Sequence, residues 1–496
     1  MPRSIETPLA ACASALALSA CAAVGPTFHA PAGPNGSAAS GYAMAGDPTA
    51  AQVRLAPEAR AAGPWWTVFN SPALDKVMDE ALAGSPTLAE ADATLQRAEQ
   101  QAAAVRGAEL PQVDLSASGQ REHINLQAFG FRGFPGVTLS NPTISLYSVG
   151  GSVAYDLDLF GARRRATEAA AARAETAARQ ADAAYLTLSG NVALQAMRVA
   201  SLRSQLAALE QIVADDRRVL DLIHAAQHAG SEAPSATSGG DAQLAEDEAL
   251  VPPVQRELAA ARQQLAVLVG KSPAEWSAPD FDMAQIAVPA EIPVSLPSEL
   301  VRKRPDILAA EAELHAATAE VGVAVANQYP SIRLSANLTQ SALRPEKLFN
   351  YNASGWQLLG GLTAPIFHGG TLKANRKAAE AQARVAMARY RDTVIRAFAQ
   401  VSDVMAALAT DERQLASLSR AQAASEANAR DAQTAYRLGG GSLLQVIDAE
   451  RQLGRARRAT VQAQGQKLID IVELYTATAA DWRAAQTQNQ IKTAER

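Results

Sequence analysis

Aromatic side chains are scarce in this 496-residue chain, at 5% of the total, and cysteine occurs twice, at Cys12 and Cys21. So few rings exclude a large aromatic core. Alanine dominates the 48% hydrophobic fraction instead, a composition that favours long, closely packed helices. A strong excess of either charge is missing as well: 45 Lys and Arg stand against 50 Asp and Glu, a net charge of −5. The basic runs Arg163-Arg164-Arg165 and Arg302-Lys303-Arg304 are short. Without a broad cationic face, nucleic acid is not an expected partner. Long hydrophobic runs are absent too. No segment reaches the roughly 18 apolar residues of a spanning helix, so any membrane crossing must be made by strands.

What the chain does contain is a repeat. Pro86 and Pro111 bracket one helical stretch and Pro305 and Pro330 another, each pair 25 residues apart. An alternating segment follows each. Val113, Leu115 and Ala117 alternate with Asp114, Ser116 and Ser118, as Ile332, Leu334 and Ala336 alternate with Arg333, Ser335 and Asn337. Period-two patterning of this kind predicts strands with one apolar and one polar face. A Gly, Pro and Asn-rich turn region leads in each copy to a second strand, from Tyr147 to Leu157 and from Trp356 to Ala364. Two hairpins, at about 112–160 and about 331–367, give four strands. Strands of about ten residues can cross a bilayer, but a closed barrel needs about eight or more of them. Open edges would leave backbone groups unpaired in lipid, so a barrel must be shared between chains.

Each hairpin is followed by a long helical segment: 162–229 with a return helix over 241–269, and 371–437 with a return helix over 442–481. Leu202, Leu206, Leu209, Val213, Leu220 and Ile223 keep the three-and-four spacing of a coiled-coil seam. Sixty-eight residues at 1.5 Å each would extend about 100 Å. The expected organisation is repeat 1 over 63–290, repeat 2 over 291–485 and a polar tail over 486–496. In the first copy, Ser231 to Asp241 contains Pro234, Gly239 and Gly240, which predicts a longer, looser tip there.

The first 20 residues read as a secretory signal, with Arg3 before an apolar stretch from Leu9 to Leu18. Leu18-Ser19-Ala20-Cys21 resembles a bacterial lipobox, which would make Cys21 the lipidated first residue of the mature chain. Ordinary cleavage after Ala20 or Ala23 is the alternative. With Cys12 inside the signal, the mature chain would hold no disulfide. Residues 21–62, rich in Ala, Gly and Pro, read as a tether.

The order of these features resembles the outer-membrane factor family of tripartite efflux pumps, the TolC-like channels, in its lipoprotein branch. The residues that carry the likeness are Cys21 with Val24-Gly25-Pro26, Trp65-Trp66 with Phe69 and Leu74, and Leu296-Pro297-Ser298-Glu299-Leu300 with Arg304-Pro305-Asp306-Ile307. Pro365-Ile366-Phe367 with Gly369-Gly370, and Tyr436-Arg437 with Gly439, Leu444 and Asp448, complete the set. The resemblance implies a mixed α+β membrane protein: a homotrimer whose 12-stranded β-barrel, four strands per chain, continues into a periplasmic coiled-coil barrel of helices. It implies an outer-membrane location and passive conduction of small toxic compounds, with a periplasmic adaptor and an inner-membrane pump as partners. No enzyme activity, cofactor or metal is expected.

By the same resemblance, Leu444 and Asp448 would supply an apolar ring and a carboxylate ring that narrow the periplasmic mouth. Three carboxylates there would attract cations and repel one another. Otherwise Asp448 lies on a solvated helix face with Glu450 and Arg451. Tyr436 and Arg437 are candidates to brace the closed state. Asp221, His224, His228 and Glu232 fall along one helix face at spacings that suggest metal ligands, but a hydrated face near a helix end explains them as well. Gly439-Gly440-Gly441 lacks the preceding strand and following Lys of a phosphate loop. A periplasmic coiled-coil structural or adaptor lipoprotein is the competing function, and it leaves two amphipathic hairpins without a purpose.

Overall fold

The computed structural model describes residues 23–31, 55–56, 64–129, 141–289, 292–293 and 297–479. The signal segment, Cys21, most of the tether and the polar tail lie outside them. The strands among the described residues are β1 (Leu55–Ala56), β2 (Gln112–His123), β3 (Thr143–Leu157), β4 (Ile292–Pro293), β5 (Ser331–Ala342) and β6 (Ser354–Thr363). The α-helices among the described residues are α1 (Pro72–Gly84), α2 (Pro86–Gly107), α3 (Ala162–His228), α4 (Pro234–Glu248), α5 (Val251–Leu268), α6 (Pro297–Lys303), α7 (Pro305–Ala326), α8 (Thr371–Arg437) and α9 (Leu443–Ala477). No helix among the described residues is long and apolar enough to cross a membrane. The chain divides into two compact units, and α2, α3, α7 and α8 contribute residues to both.

The first unit comprises Met1–Ala30, Leu95–Thr176 and Ala310–Arg389. Its centre is a four-stranded antiparallel sheet in the order β2-β3-β5-β6. Register brings Val113 opposite Val153, Val153 opposite Ala336 and Ala336 opposite Leu358, so one apolar row crosses all four strands. The residues one step along, Asp114, Ser152, Asn337 and Gln357, form the polar row of the other face. Val113, Leu115, Trp356, Leu358 and Leu362 on the two outer strands are exposed, so among the described residues nothing covers the apolar face at the two outer strands.

Strand hands over to helix through the arginine triplet. Asp158 accepts the backbone N–H groups of Arg163 (3.1 Å) and Arg164 (2.9 Å), placing a carboxylate at the start of α3 where free amides and the helix dipole favour it. The Arg163 guanidinium bonds Asp156 and the Ala108 carbonyl, and Arg333 on β5 also reaches Asp156 at 3.1 Å. Arg165 is buried and donates to the Val24 carbonyl (3.3 Å) and to Glu168 (2.7 Å). That holds the N-terminal segment in place, where Phe28 stacks on His315 at 4.4 Å. Gly25, at φ +95°, comes so near Gly322 that a Cβ would lie 2.5 Å from the Gly322 Cα. Glycine at 25 permits that approach, and a Cβ at Gly322 would meet the Arg165 side chain at 2.9 Å.

The second unit comprises Pro31–Thr94, Ala177–Ala309 and Tyr390–Arg496. An aromatic cluster lies at its core. Trp65 stacks on Tyr475 at 5.7 Å and meets Trp66 and Phe69 edge-on, and its indole N–H donates to Ser189 Oγ (3.4 Å). Leu74, Val77, Met78 and Ala81 of α1 are buried, as are Val192, Ala193, Ala196, Met197, Val199 and Ala200 of α3. The short parallel pair β1–β4 also belongs to this unit.

The looser tip expected over 231–241 is not what forms. α4 starts at Pro234, because proline at the first helical position lacks only an N–H that would have had no helical partner. Gly240 is buried inside that helix, where a Cβ would come 2.9 Å from Ile223 Cδ1 and 3.0 Å from Leu220 Cδ1 of α3. The expected single return helix over 241–269 is two helices. The break falls at Ala249–Leu250, just before Pro252-Pro253, since each proline removes a donor and crowds the preceding turn.

Candidate functional site

The turn between α8 and α9, in the second unit, is built to be rigid. Gly439 takes φ +76°, the left-handed conformation that ends a helix at low cost. The Gly439 amide bonds the Tyr436 carbonyl (3.0 Å), and the amides of Gly440 and Gly441 bond the Ala435 carbonyl (2.9 and 3.1 Å). Ser442 then opens α9 with a reciprocal cap: its Oγ accepts the Gln445 amide (3.4 Å) and its own amide donates to Gln445 Oε1 (3.0 Å).

That cap fixes which side chains face outward. Leu443, Val446 and Ala449 turn into the unit and are buried. Leu444 is left 66% exposed and the Asp448 side chain 55% exposed, one turn apart on the same helix face. Arg451 approaches Asp448 to 3.8 Å, on the same helix. An exposed leucine beside an exposed carboxylate is available to whatever lies beyond this chain. Arg437 turns back along α8, donating to the Gln433 carbonyl (3.4 Å) and Thr434 Oγ1 (3.4 Å). Within one chain it reaches no other helix by these bonds.

Tyr436 and Arg437 line a groove of about 1140 Å³ between α3, α8 and α9. Its charged lining is paired across helices. Arg457 bonds Asp215 (3.3 Å) and approaches Glu426 (3.8 Å), and Arg218 also bonds Asp215. Glu450 takes the Gln433 amide. Beside the groove, burial pushes the Asp216 carboxyl up to about 7, aided by a hydrogen bond to Asp247 and by the charges of Asp247, Asp215 and Glu450. Asp221, His224 and His228 are exposed on α3. Among the described residues no group of three or more His, Cys, Asp or Glu is placed to hold a metal ion.

Sequence reasoning singled out Leu444, Asp448, Tyr436 and Arg437, and the structure brings all four to one turn and its flanking helices. It missed the groove network of Asp215, Glu426 and Arg457, and the half-buried Asp216 beside it. The only trace of that network in the sequence was an Asp doublet interrupting an apolar seam.

The whole arrangement has known counterparts. The family model described as outer membrane efflux protein matches residues 77–271 and 296–480. The pyoverdine export outer membrane protein OpmQ of Pseudomonas putida is 30% identical, over 88% of this chain and 91% of its own length. The toluene efflux pump outer membrane protein TtgC of Pseudomonas putida is 31% identical, over 84% of this chain and 85% of its own. Among solved structures, the outer-membrane channel OprN superposes with a TM-score of 0.83 at 28% identity, covering 93% of this chain and 99% of that one. With both hairpins and the α8–α9 turn inside the matched residues, the chain belongs to the outer membrane efflux protein family.

Proposed function

We propose that three copies of this chain close a 12-stranded barrel in the outer membrane, and that their helices form a periplasmic tunnel whose mouth is narrowed by Leu444 and Asp448. As a member of its family the chain is an efflux conduit and not an enzyme. The observation that carries the trimer is the sheet: four strands, two unpaired edges, and an apolar face left bare on both outer strands. Lipid would cover that face, but no lipid can satisfy an open edge. A second copy can. The matched lengths of α2 and α7, 22 residues each, and of α3 and α8, 67 each, support an origin by duplication.

In this reading Cys21 carries a lipid anchor. It lies two residues before Ala23, which packs against Gly161 at the foot of β3, so acyl chains would enter the bilayer beside the strand ends. Cargo arrives from an inner-membrane pump through a periplasmic adaptor and leaves passively. Relatives are named for export of pyoverdine and for efflux of toluene, antibiotics and cations, which supports small toxic compounds as the substrate class. Such breadth fits a wide tunnel that leaves selection to the pump.

The mouth is tested in planar bilayers. Leu444→Gly combined with Asp448→Ala should raise single-channel conductance over the unaltered protein. Equal conductance would remove both residues from the constriction.

A further inference from the structure

Asp411 on α8 and Asp470 on α9 are among the least exposed charged residues of the second unit, at 8% and 6%. Burying two ionised carboxylates side by side is very costly. Gln466 Nε2 donates to Asp470 Oδ1 at 2.7 Å. The Asp411 carboxyl is hydrogen-bonded to the Asp470 side chain, and its enclosed Oδ2 is reached by no other donor. Two carboxylate oxygens can only accept; a bond between them needs a proton on one.

We propose that Asp411 and Asp470 form a single proton-binding site, in which a proton on the Asp411 carboxyl is donated to the Asp470 carboxylate and fastens α8 to α9. Asp411 lies 26 residues before Arg437 and Asp470 lies 26 after Leu444. At 1.5 Å per residue the site is about 40 Å from the tip along each arm. One proton therefore clasps both arms of the helical hairpin that carries Leu444 and Asp448.

The surroundings favour the protonated form. Burial, then the hydrogen bond to Asp470 and its charge, push Asp411 up to about 7, and the Lys467 ammonium works in the opposite direction. Glu473 on α9 is raised as well, by burial first and then by Asp470 and by Asp403 on α8. The acidic neighbours thus oppose a second negative charge, and Lys467 offsets them in part. Compared with an ordinary aspartate, a value near 7 means proton binding about a thousandfold tighter in the folded chain. The folded state then holds a proton that the unfolded state has released. The pair's contribution to stability is fully present below about pH 4, falls as pH rises toward 7, and is level above that.

Infrared difference spectroscopy of the full-length protein, titrated from pH 5 to pH 9, tests the site directly. The carbonyl band of a protonated carboxyl should disappear with a midpoint near 7. Asp411→Asn should lose that component, because the amide donates to Asp470 without a proton. Asp470→Asn should lose it too, since its amide would donate to an ionised Asp411. Asp216→Asn serves as the control for the other carboxyl pushed up to about 7 and should keep the Asp411 component. Thermal unfolding of Asp411→Asn should show a weaker loss of stability between pH 5 and pH 8 than the unaltered protein. Retention of the full band in whichever of the two variants folds, or parallel pH profiles of unfolding, would overturn the proposal. The test does not depend on the mouth: unchanged conductance in the Leu444 and Asp448 variants would leave the proton site standing.

Discussion

Arg304 offers the sharpest test of how the second unit is held together. Its side chain is only 12% exposed and uses its whole fork. Nε and Nη2 grip the two oxygens of Asp306 at 3.0 and 2.7 Å, and Nη1 donates to the Ala477 carbonyl (2.8 Å) and Gln400 Oε1 (3.0 Å). One residue thus braces the start of α7, the middle of α8 and the end of α9. These bonds differ in worth. Asp306 is 41% exposed and can recover water when its partner is removed, so its share is small. The Ala477 carbonyl is one of the last four of α9 and has no helical donor. A lost hydrogen bond to a charged group costs about 1.5–3 kcal/mol, and the buried guanidinium stem adds packing. Arg304→Ala should therefore cost about 3 kcal/mol of unfolding free energy. Arg304→Lys keeps the charge but donates from a single nitrogen, without the planar fork that spans Asp306, Ala477 and Gln400, and should lose about half of that. Urea unfolding of the detergent-solubilised protein, followed by circular dichroism, measures both. An Arg304→Ala variant within about 0.5 kcal/mol of the unaltered protein, the range of an ordinary surface change, would refute the reasoning.

Two further outcomes are expected. Cys21→Ala should abolish fatty-acid labelling of the expressed protein, and persistent labelling would exclude Cys21 as the anchor. In α4, Gly239 has open space where a Cβ would go, whereas a Cβ at Gly240 meets Leu220 and Ile223. Gly239→Ala should then stabilise by about 0.5–1 kcal/mol through helix propensity, and Gly240→Leu should destabilise by about 1–3 kcal/mol through overpacking. Equal effects at the two positions in a thermal melt would contradict the packing described for α3 and α4.

The parts of the fold visible in the sequence are those governed by short-range rules. Alternation at Val113, Leu115 and Ala117 marks β2 because side chains of a strand must alternate faces, and Gly439 marks a helix end because few other residues take its conformation. Pro234 was misread for an instructive reason. A proline forbids the interior of a helix but suits its first position, and only the three-dimensional approach of Gly240 to α3 decides between the two. The arginine triplet is the same kind of case. As a sequence it is a short basic run; in the fold each arginine has a separate duty, at Asp156, Asp158 and Val24. The Asp411–Asp470 pair was invisible, since its members are 59 residues apart on different helices and nothing local distinguishes a buried aspartate from a hydrated one.

The antiparallel sheet of β2, β3, β5 and β6 also has a consequence of parity. With an even number of strands, its two edges run in opposite directions, so β6 of one copy can pair antiparallel with β2 of the next at every seam of a ring. An odd count would force a parallel seam or flip every second copy. The same parity brings α2, α3, α7 and α8 to one rim of the sheet and sends both hairpin loops to the other. Any number of copies added around a circle would therefore keep the sheet-side ends of these four helices at one rim.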